Sequence, residues 1–293
     1  MEFQQASRRK SGRQLGIVIT GGTSGLGRAM TREFLRAGDR VVICGRNPSR
    51  LESALRVLRE AVPDGEVHAM ACDVSMPASA KLFAAFAISK LGVIDRWINN
   101  AGTSGRSRNP LWELDARDID ETCRTNLIGS MLMCSEAIKA MGRQAADGRR
   151  QPSYHIFNMG FSAGGVRFSP TAMHHRASKR AVALMTGYIH EELKASRIDT
   201  IGIHELSPGL VLTGLLLQGS GADQRRFFNA VAETPETVAA SLVPRIRAVN
   251  GSGRTLRFRP ALVMLARMVA SRFGFGNDRF FDRAGRRLSS QRH

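Results

Sequence analysis

Residues 15–28, with the sequence LGIVITGGTSGLGR, decide the fold of this chain. Residues 16–20 carry three β-branched apolar side chains in succession and predict a short buried strand. Gly21, Gly25 and Gly27 predict a turn, and the amphipathic residues 28–37 predict a helix after it. A strand, a glycine turn and a helix start form an anion site, because the N–H groups at a helix N-terminus attract phosphate. This segment predicts a nucleotide site; a tight turn without a ligand is the alternative.

The alternation of strand and helix continues along the chain. Further strands are predicted at residues 40–45, 66–72, 93–98, 155–159, 200–206 and 254–258, and further helices at 48–61, 78–91, 115–141, 171–194, 210–217, 235–248 and 260–273. Such an alternation requires right-handed crossovers and a parallel sheet covered on both faces. The predicted fold class is α/β, a single-domain, doubly wound parallel sheet of the Rossmann type. We expect this domain at residues 15–285, with a C-terminal helical extension from about residue 210, a basic disordered tail at 1–14 and a polar tail at 286–293.

The composition narrows the classes of partner. The chain has 43 Lys and Arg residues against 25 Asp and Glu, a formal net charge of +18. Basic chains bind nucleic acids, anionic membranes or anionic ligands, but here the arginines are scattered and no aromatic residues interleave with them, so nucleic acid is not favoured. The four cysteines lack C-x-x-C spacing, which favours buried free thiols, a reducing compartment and no metal site. With neither a signal peptide nor an apolar run of spanning length, we expect a cytoplasmic protein.

The end of each predicted strand is where chemistry is expected, since ligands of an open parallel sheet bind outside its carboxyl edge. The residues found there are 20–27, Arg46-Asn47, Asp73-Val74, 99–102, Ser162 and 207–209. The residue after the second strand selects the cofactor: a carboxylate would take the ribose 2′-hydroxyl of NAD, whereas a guanidinium binds the 2′-phosphate of NADP. Residues 40–50 contain no acid, and Arg46 therefore favours NADP(H) over a merely solvated surface arginine.

Together these motifs resemble the short-chain dehydrogenase/reductase family: T-G-x-x-x-G-x-G at 20–27, Asp73-Val74, N-N-A-G at 99–102, a helical Asn126, S-P-G at 207–209 and Thr213. The resemblance covers residues 15 to about 215. It implies that the cofactor binds to Gly21, Thr23, Ser24, Gly25, Leu26, Gly27, Arg46, Asn47, Asp73, Val74, Asn100, Ala101, Gly102, Lys179, Pro208, Gly209, Val211 and Thr213. The family's catalytic set is Asn, Ser, Tyr and Lys, which implies Asn126, Ser162 and Lys179 here.

The catalytic tyrosine of that family is replaced in this chain. The segment matching Y-x-A-S-K reads H-R-A-S-K at residues 175–179, and Ser162 stands thirteen residues before His175. Neutral imidazole can still polarise a carbonyl by donating an N–H bond, and a neighbouring ammonium would keep it neutral. We therefore predict that His175 takes the place of the proton donor, with Lys179 holding the nicotinamide ribose. The alternative is a lost or altered activity.

Four further segments resemble the plant-type chlorophyll(ide) b reductases: HIFNM at 155–159 and residues 207–220, 235–247 and 279–286. That resemblance implies an NADPH-dependent carbonyl reductase that converts the formyl group of a large apolar tetrapyrrole to hydroxymethyl. It also implies a plastid stroma if the source is a plant or an alga. A divergent relative is expected because of His175. The competing hypothesis is a cofactor-binding but non-catalytic sensor or scaffold.

Two segments bear on partners. The helices predicted at 115–141 and 171–194 carry apolar residues on more than one face, and in the family these helices form homodimers and homotetramers. The helix predicted at 260–273 is apolar with arginines around it. Such a helix closes a substrate pocket or makes peripheral contact with an anionic membrane.

Overall fold

The computed structural model describes residues 13–144, 152–161, 166, 169, 171–260, 263, 266–267, 269–270, 279–282 and 284–288. Its centre is one parallel sheet in the order β3-β2-β1-β4-β5-β6-β7. The strands are β1 Gly16–Thr20, β2 Arg40–Gly45, β3 Val67–Ala71, β4 Arg96–Asn99, β5 Tyr154–Met159, β6 Ile201–Ser207 and β7 Thr255–Arg257. The order reverses direction beside β1, as it does in doubly wound folds. The prediction of a doubly wound parallel sheet is confirmed.

Helices cover both faces of this sheet. They are α1 Gly25–Arg36, α2 Pro48–Ala61, α3 Pro77–Leu91, α4 Ala116–Cys123, α5 Gly129–Gly142, α6 Met173–Ala195, α7 Gly214–Leu217, α8 Ala222–Val231 and α9 Pro235–Ala248. Successive strand residues point to opposite faces. Accordingly Ile17 and Ile19 of β1 pack with α1, α2 and α9, whereas Val18 packs with α3, α5 and α6.

Three elements differ from the sequence-based expectation. The helix predicted at 115–141 consists of α4 and α5 joined by a π-helical turn at Arg124–Ile128. The helix predicted at 210–217 is only the four residues of α7, and α8 was not predicted at all. The apolar residues of α8 lie mostly in its second half, which is too short a stretch to show a helical period.

The C-terminal part packs against α8. Phe280 and Phe281 form a small apolar cluster with Leu216 and Phe228, and Asn229 accepts hydrogen bonds from the N–H groups of both phenylalanines. Of the helix predicted at 260–273, residues 260, 263, 266–267 and 269–270 belong to the described part, and all of these except Pro260 are helical. The rest of that prediction, together with most of the predicted tails, lies outside the described residues. Within the described chain, no helix has the length and apolar character needed to cross a membrane.

Candidate active site

A cleft of about 870 Å³ opens at the carboxyl edge of the sheet. Most of the predicted site residues line it: Gly21, Thr23, Ser24, Gly25, Leu26, Gly27, Arg46, Asn47, Val74, Asn100, Ala101, Gly102, His175, Lys179, Pro208, Gly209, Val211 and Thr213. The structure therefore brings together groups from six strand ends that are up to about 190 residues apart in the sequence. Their individual roles remain predictions.

The glycine turn is held against the end of β4. Asn100 donates its side-chain amide to the carbonyl oxygens of Thr20 and Gly21, at 2.9 and 3.1 Å. A Cβ atom at Gly27 would lie 2.3 Å from the Gly21 oxygen, so only glycine fits there. Ser24 precedes α1 without capping it by its side chain. The N-terminal N–H groups of α1 are thus left for an anion in the cleft.

One end of the cleft is cationic. Arg46 and Arg50 both line it and are exposed, while Asn47 accepts a 3.0 Å hydrogen bond from the backbone N–H of Arg50 and so caps α2. None of the described residues that line the cleft is an aspartate or a glutamate. This end is therefore suited to a phosphate and lacks the carboxylate that would select a ribose hydroxyl.

Of the neighbouring residues Asp73 and Val74, one lines the cleft and the other does not. Val74 lines the cleft, but Asp73 is not among the lining residues, and its carboxylate accepts hydrogen bonds from the N–H and hydroxyl of Ser75, at 2.9 and 2.7 Å. The Asp73 side chain thus forms its hydrogen bonds within the loop that follows β3. Val74 is the member of this pair that faces the cleft.

His175 lies in the first turn of α6, with its ring against the cleft and only 3% of the residue exposed. Its Nδ1 is 2.8 Å from Thr171 Oγ1, and its ring meets Phe161 edge-on at a centroid distance of 5.4 Å. Burial, then the charge of Lys179, lowers the pKa of His175 to about 3. The imidazole is therefore neutral at physiological pH, as its predicted role requires.

Lys179 lies one helical turn after His175 and also lines the cleft. Burial lowers the pKa of its ammonium to about 8. A Cβ atom at Gly102 would lie 3.1 Å from Lys179 Nζ, so the glycine leaves room for this side chain. Nζ has no hydrogen-bond acceptor among the described residues. The group is available to a ligand.

Asn126 sits in the π-helical turn and is fully buried. Its Oδ1 accepts from the N–H of Thr103 at 2.9 Å, and its Nδ2 donates to the Thr103 carbonyl and to Ser178 Oγ, at 2.9 and 3.0 Å. Ser178 in turn donates to the carbonyl of His175 at 2.9 Å. The Asn126 side chain thus does not reach the cleft; it connects the loop after β4 to the first turns of α6.

Two further predicted site residues are Ser162 and Thr213. Ser162 lies outside the described residues. Thr213 accepts a long, 3.4 Å hydrogen bond from the N–H of Leu216 at the start of α7, and its methyl group is the nearest neighbour of a hypothetical Cβ at Gly25. Thr213 therefore closes the cleft over the glycine turn.

Some neighbours of the site could not be predicted from the sequence. Thr171 and Ser169 form a buried pair behind His175, with their hydroxyl oxygens 2.8 Å apart. The only available signal was that Thr171 precedes His175 by four residues, one helical turn. His174, adjacent to His175, is separate from the cleft: its Nε2 lies 3.7 Å from Asp118 Oδ2.

Comparison with known proteins agrees with this geometry. Residues 16–221 match the model of the short chain dehydrogenases, so the chain belongs to the short-chain dehydrogenase family. It is 38% identical over 286 residues to a probable chlorophyll(ide) b reductase, chloroplastic, of Oryza sativa subsp. japonica, a match covering 92% of this chain and 54% of that protein. It is 40% identical over 238 residues to a chlorophyll(ide) b reductase, chloroplastic, of Arabidopsis thaliana, covering 81% and 66%. Both predicted resemblances are confirmed.

This chain covers a smaller share of the plant relatives than of the solved structures. The chain spans about half the length of the rice protein. By contrast, it covers 96% of the 3-ketoacyl-(acyl-carrier-protein) reductase of Brucella melitensis complexed with NADH, at 25% identity and a TM-score of 0.68. An actinorhodin polyketide ketoreductase variant with NADPH gives the same identity, coverage and TM-score. The reductase fold is therefore matched over nearly its whole length.

Proposed function

We propose that this protein is an NADPH-dependent carbonyl reductase in which His175 stands in for the family's tyrosine. The observation that carries the proposal is the buried, neutral imidazole of His175 beside the Lys179 ammonium, both lining one cleft. The neutral ring can donate an N–H bond to a carbonyl oxygen, which is where negative charge develops during reduction. The positive Lys179 adds to the stabilisation of that charge.

The residues of the cleft fit a nicotinamide dinucleotide. The uncapped N-terminus of α1 offers N–H groups to a pyrophosphate, and Arg46 and Arg50 offer guanidinium groups to a 2′-phosphate. Solved structures that match this fold are complexes with NADH or NADPH. The absence of any acid among the described lining residues favours NADPH for this protein. When bound, this cofactor supplies the hydride that adds to the carbonyl carbon.

The remaining roles follow from position. Lys179, with no described partner, would hold the nicotinamide ribose, and Pro208, Gly209, Val211 and Thr213 would line the nicotinamide end. Ser162 would hold the carbonyl oxygen together with His175. Asn126 would hold a water leading to bulk solvent, as in the family's catalytic set, and its buried amide also supports a role in placing the first turns of α6.

For the substrate we propose a large apolar molecule with a formyl group, such as a chlorophyll(ide) b-like tetrapyrrole. Besides the predicted cofactor residues, the lining of the cleft includes the apolar side chains of Phe161, Leu210, Leu215 and Leu216. Relatives named as chlorophyll(ide) b reductases support the formyl chlorin. Reduction to hydroxymethyl would need the one proton that His175 can place at the oxygen. The chloroplastic names of those relatives support a plastid stroma if the source is a plant or an alga, and a homodimer or homotetramer remains part of the proposal.

The experiment is a turnover assay with purified protein, NADPH or NADH, and a panel of aldehydes, ketones and a formyl chlorin. We expect oxidation of NADPH that depends on the carbonyl compound, with the hydroxymethyl product identified by mass spectrometry. A Lys179→Met variant, which keeps the length of the side chain, should weaken cofactor binding and turnover together. NADPH binding without turnover on any substrate would contradict the proposal and favour the sensor or scaffold.

A further inference from the structure

His175 is the end of a buried chain of three hydrogen-bonding side chains. His175 Nδ1 lies 2.8 Å from Thr171 Oγ1, and Thr171 Oγ1 lies 2.8 Å from Ser169 Oγ. The three residues are 3%, 7% and 8% exposed. Since Nδ1 faces Thr171, Nε2 is the ring nitrogen left to act in the cleft.

The hydrogen bonds run from Ser169 toward His175 in the arrangement that gives each hydroxyl proton an acceptor. Ser169 Oγ accepts from the backbone N–H of Thr171 at 3.4 Å, and the only acceptor for its own proton among the described residues is Thr171 Oγ1. Thr171 then donates its proton to His175 Nδ1. A neutral imidazole that accepts at Nδ1 carries its single proton on Nε2.

We propose that Thr171, supported by Ser169, is a positioning residue that holds His175 as the Nε2–H tautomer and relays a proton to its Nδ1 during the reaction. This inference rests on the proposed function, in which Nε2 faces the carbonyl oxygen. In the opposite tautomer Nε2 would be a bare acceptor that repels the oxygen.

The relay avoids the formation of an imidazolate, which would arise if a neutral histidine alone gave up its ring proton. Burial, and then the charges of Lys179, His174 and Arg108, lower the pKa of His175 to about 3. The ring therefore starts with one proton, and losing it alone would leave a strongly basic imidazolate. If Nδ1 gains a proton as Nε2 loses one, the ring stays neutral throughout.

The Nε2–H bond breaks and the O–H bond of the product alcohol forms, while the Thr171 O–H bond breaks and an Nδ1–H bond forms. Ser169 passes its proton to Thr171 and takes one from solvent water. The net change is one solvent proton transferred to the alkoxide that hydride addition leaves. The ring ends as the Nδ1–H tautomer; after the product leaves, Nε2 takes a proton from solvent, and the Nδ1 proton returns to solvent through Thr171 and Ser169.

The first test reads the tautomer without any turnover. Protein with 15N-labelled histidine rings, in the absence of cofactor, should show His175 protonated at Nε2 and bare at Nδ1; a His175→Gln variant assigns the signal. In Thr171→Val, which keeps the shape but removes the hydroxyl, we expect a mixture of tautomers. A His175 protonated at Nδ1 in the unaltered protein would overturn the inference.

The second test reads the reaction. Thr171→Val should lower kcat by about ten- to a hundredfold with KM little changed, a part of the effect of a general acid, and Thr171→Ser should recover most of the loss. Thr122→Val is the matched control, because Thr122 is equally buried but its hydroxyl has no hydrogen-bond partner in the described structure. A Thr171→Val enzyme with unaltered kcat would overturn the relay. If the unaltered protein shows no turnover at all, the proposed function fails, and the tautomer measurement still decides the role of Thr171.

Discussion

The side-chain amide of Asn126 donates a 3.0 Å hydrogen bond to the hydroxyl of Ser178. Because Ser178 donates onward to the His175 carbonyl, this contact joins the π-helical turn to the part of α6 that holds His175 and Lys179. The same amide bonds both backbone groups of Thr103. One buried side chain thus fixes two walls of the site.

Replacing Asn126 should therefore destabilise the fold as well as the site. In Asn126→Ala the N–H and carbonyl of Thr103 lose their partner inside the protein, which costs roughly 1–3 kcal/mol of unfolding free energy per unsatisfied group. Denaturant unfolding measures the loss. Asn109→Ala is the control, because Asn109 is exposed; equal stability of the two variants would contradict this role for Asn126.

Cofactor selection should depend on Arg46. In Arg46→Asp we expect NADPH affinity to fall about tenfold or more, the size of a lost charge-assisted hydrogen bond, and NADH to become the preferred ligand. Titration followed by nicotinamide fluorescence measures both affinities. Arg56→Asp makes the same charge change on the exposed face of α2, outside the cleft, and should leave the preference as it was. Equal binding of NADH and NADPH to the unaltered protein would refute the assignment.

We expect acid to lower the unfolding free energy, because two buried histidines can take up protons only when the chain unfolds. Burial, then the charge of Arg96, lowers the pKa of His155 to about 2 and that of His204 to about 3. The unfolded chain takes up these protons below about pH 6.5 and the folded chain does not, so the unfolding free energy falls as the pH drops from about 6.5 to about 3.

A single variant isolates this effect. His204→Gln removes one titrating group yet can still bond His155 Nδ1, which lies 2.9 Å from His204 Nε2. Unfolding curves recorded across that pH range should show a slope smaller by up to one proton. An unchanged slope in His204→Gln would show that the assignment is wrong.

Assembly should involve the outer faces of α5 and α6. Met131 is 46% exposed, Leu184 44% and Tyr188 67%, and Ile128 before α5 is 40% exposed. Apolar exposure of this extent on two neighbouring helices marks a contact surface. We expect a dimer or tetramer by light scattering at micromolar concentration, and a lower mass for Leu184→Glu. Leu82→Glu, at a 60% exposed position of α3, is the control; a monomeric unaltered protein would refute this.

The sequence predicted those elements whose pattern is local. β1, β2, α2 and α9 have the bounds expected from apolar periodicity and from the prolines that begin α2 and α9. The cleft was also predictable, because parallel strands bring their ends to one edge. Asp73 shows the limit of this reasoning: it follows β3 as expected, but the hydrogen bonds that its carboxylate accepts from Ser75 were not predictable, because side-chain direction within a loop leaves no trace in the sequence.

Thr171 shows another limit. Its spacing from His175 is that of any residue one helical turn earlier, and only the folded backbone brings its hydroxyl to Nδ1. Likewise, the π-helical turn that carries Asn126 needs one extra residue per turn, which leaves the apolar stripe of α4 and α5 nearly unchanged. Tertiary contacts decide both features.

The most direct test of the account compares turnover by the unaltered protein, His175→Ala and His175→Tyr, with NADPH and the same formyl substrate. If His175 donates the proton, His175→Ala should lose two or more orders of magnitude in kcat. His175→Tyr, which restores the family's pairing with Lys179, should keep or raise the rate and move the pH optimum. A His175→Ala enzyme as fast as the unaltered protein, or turnover by His175→Tyr alone, would contradict the account.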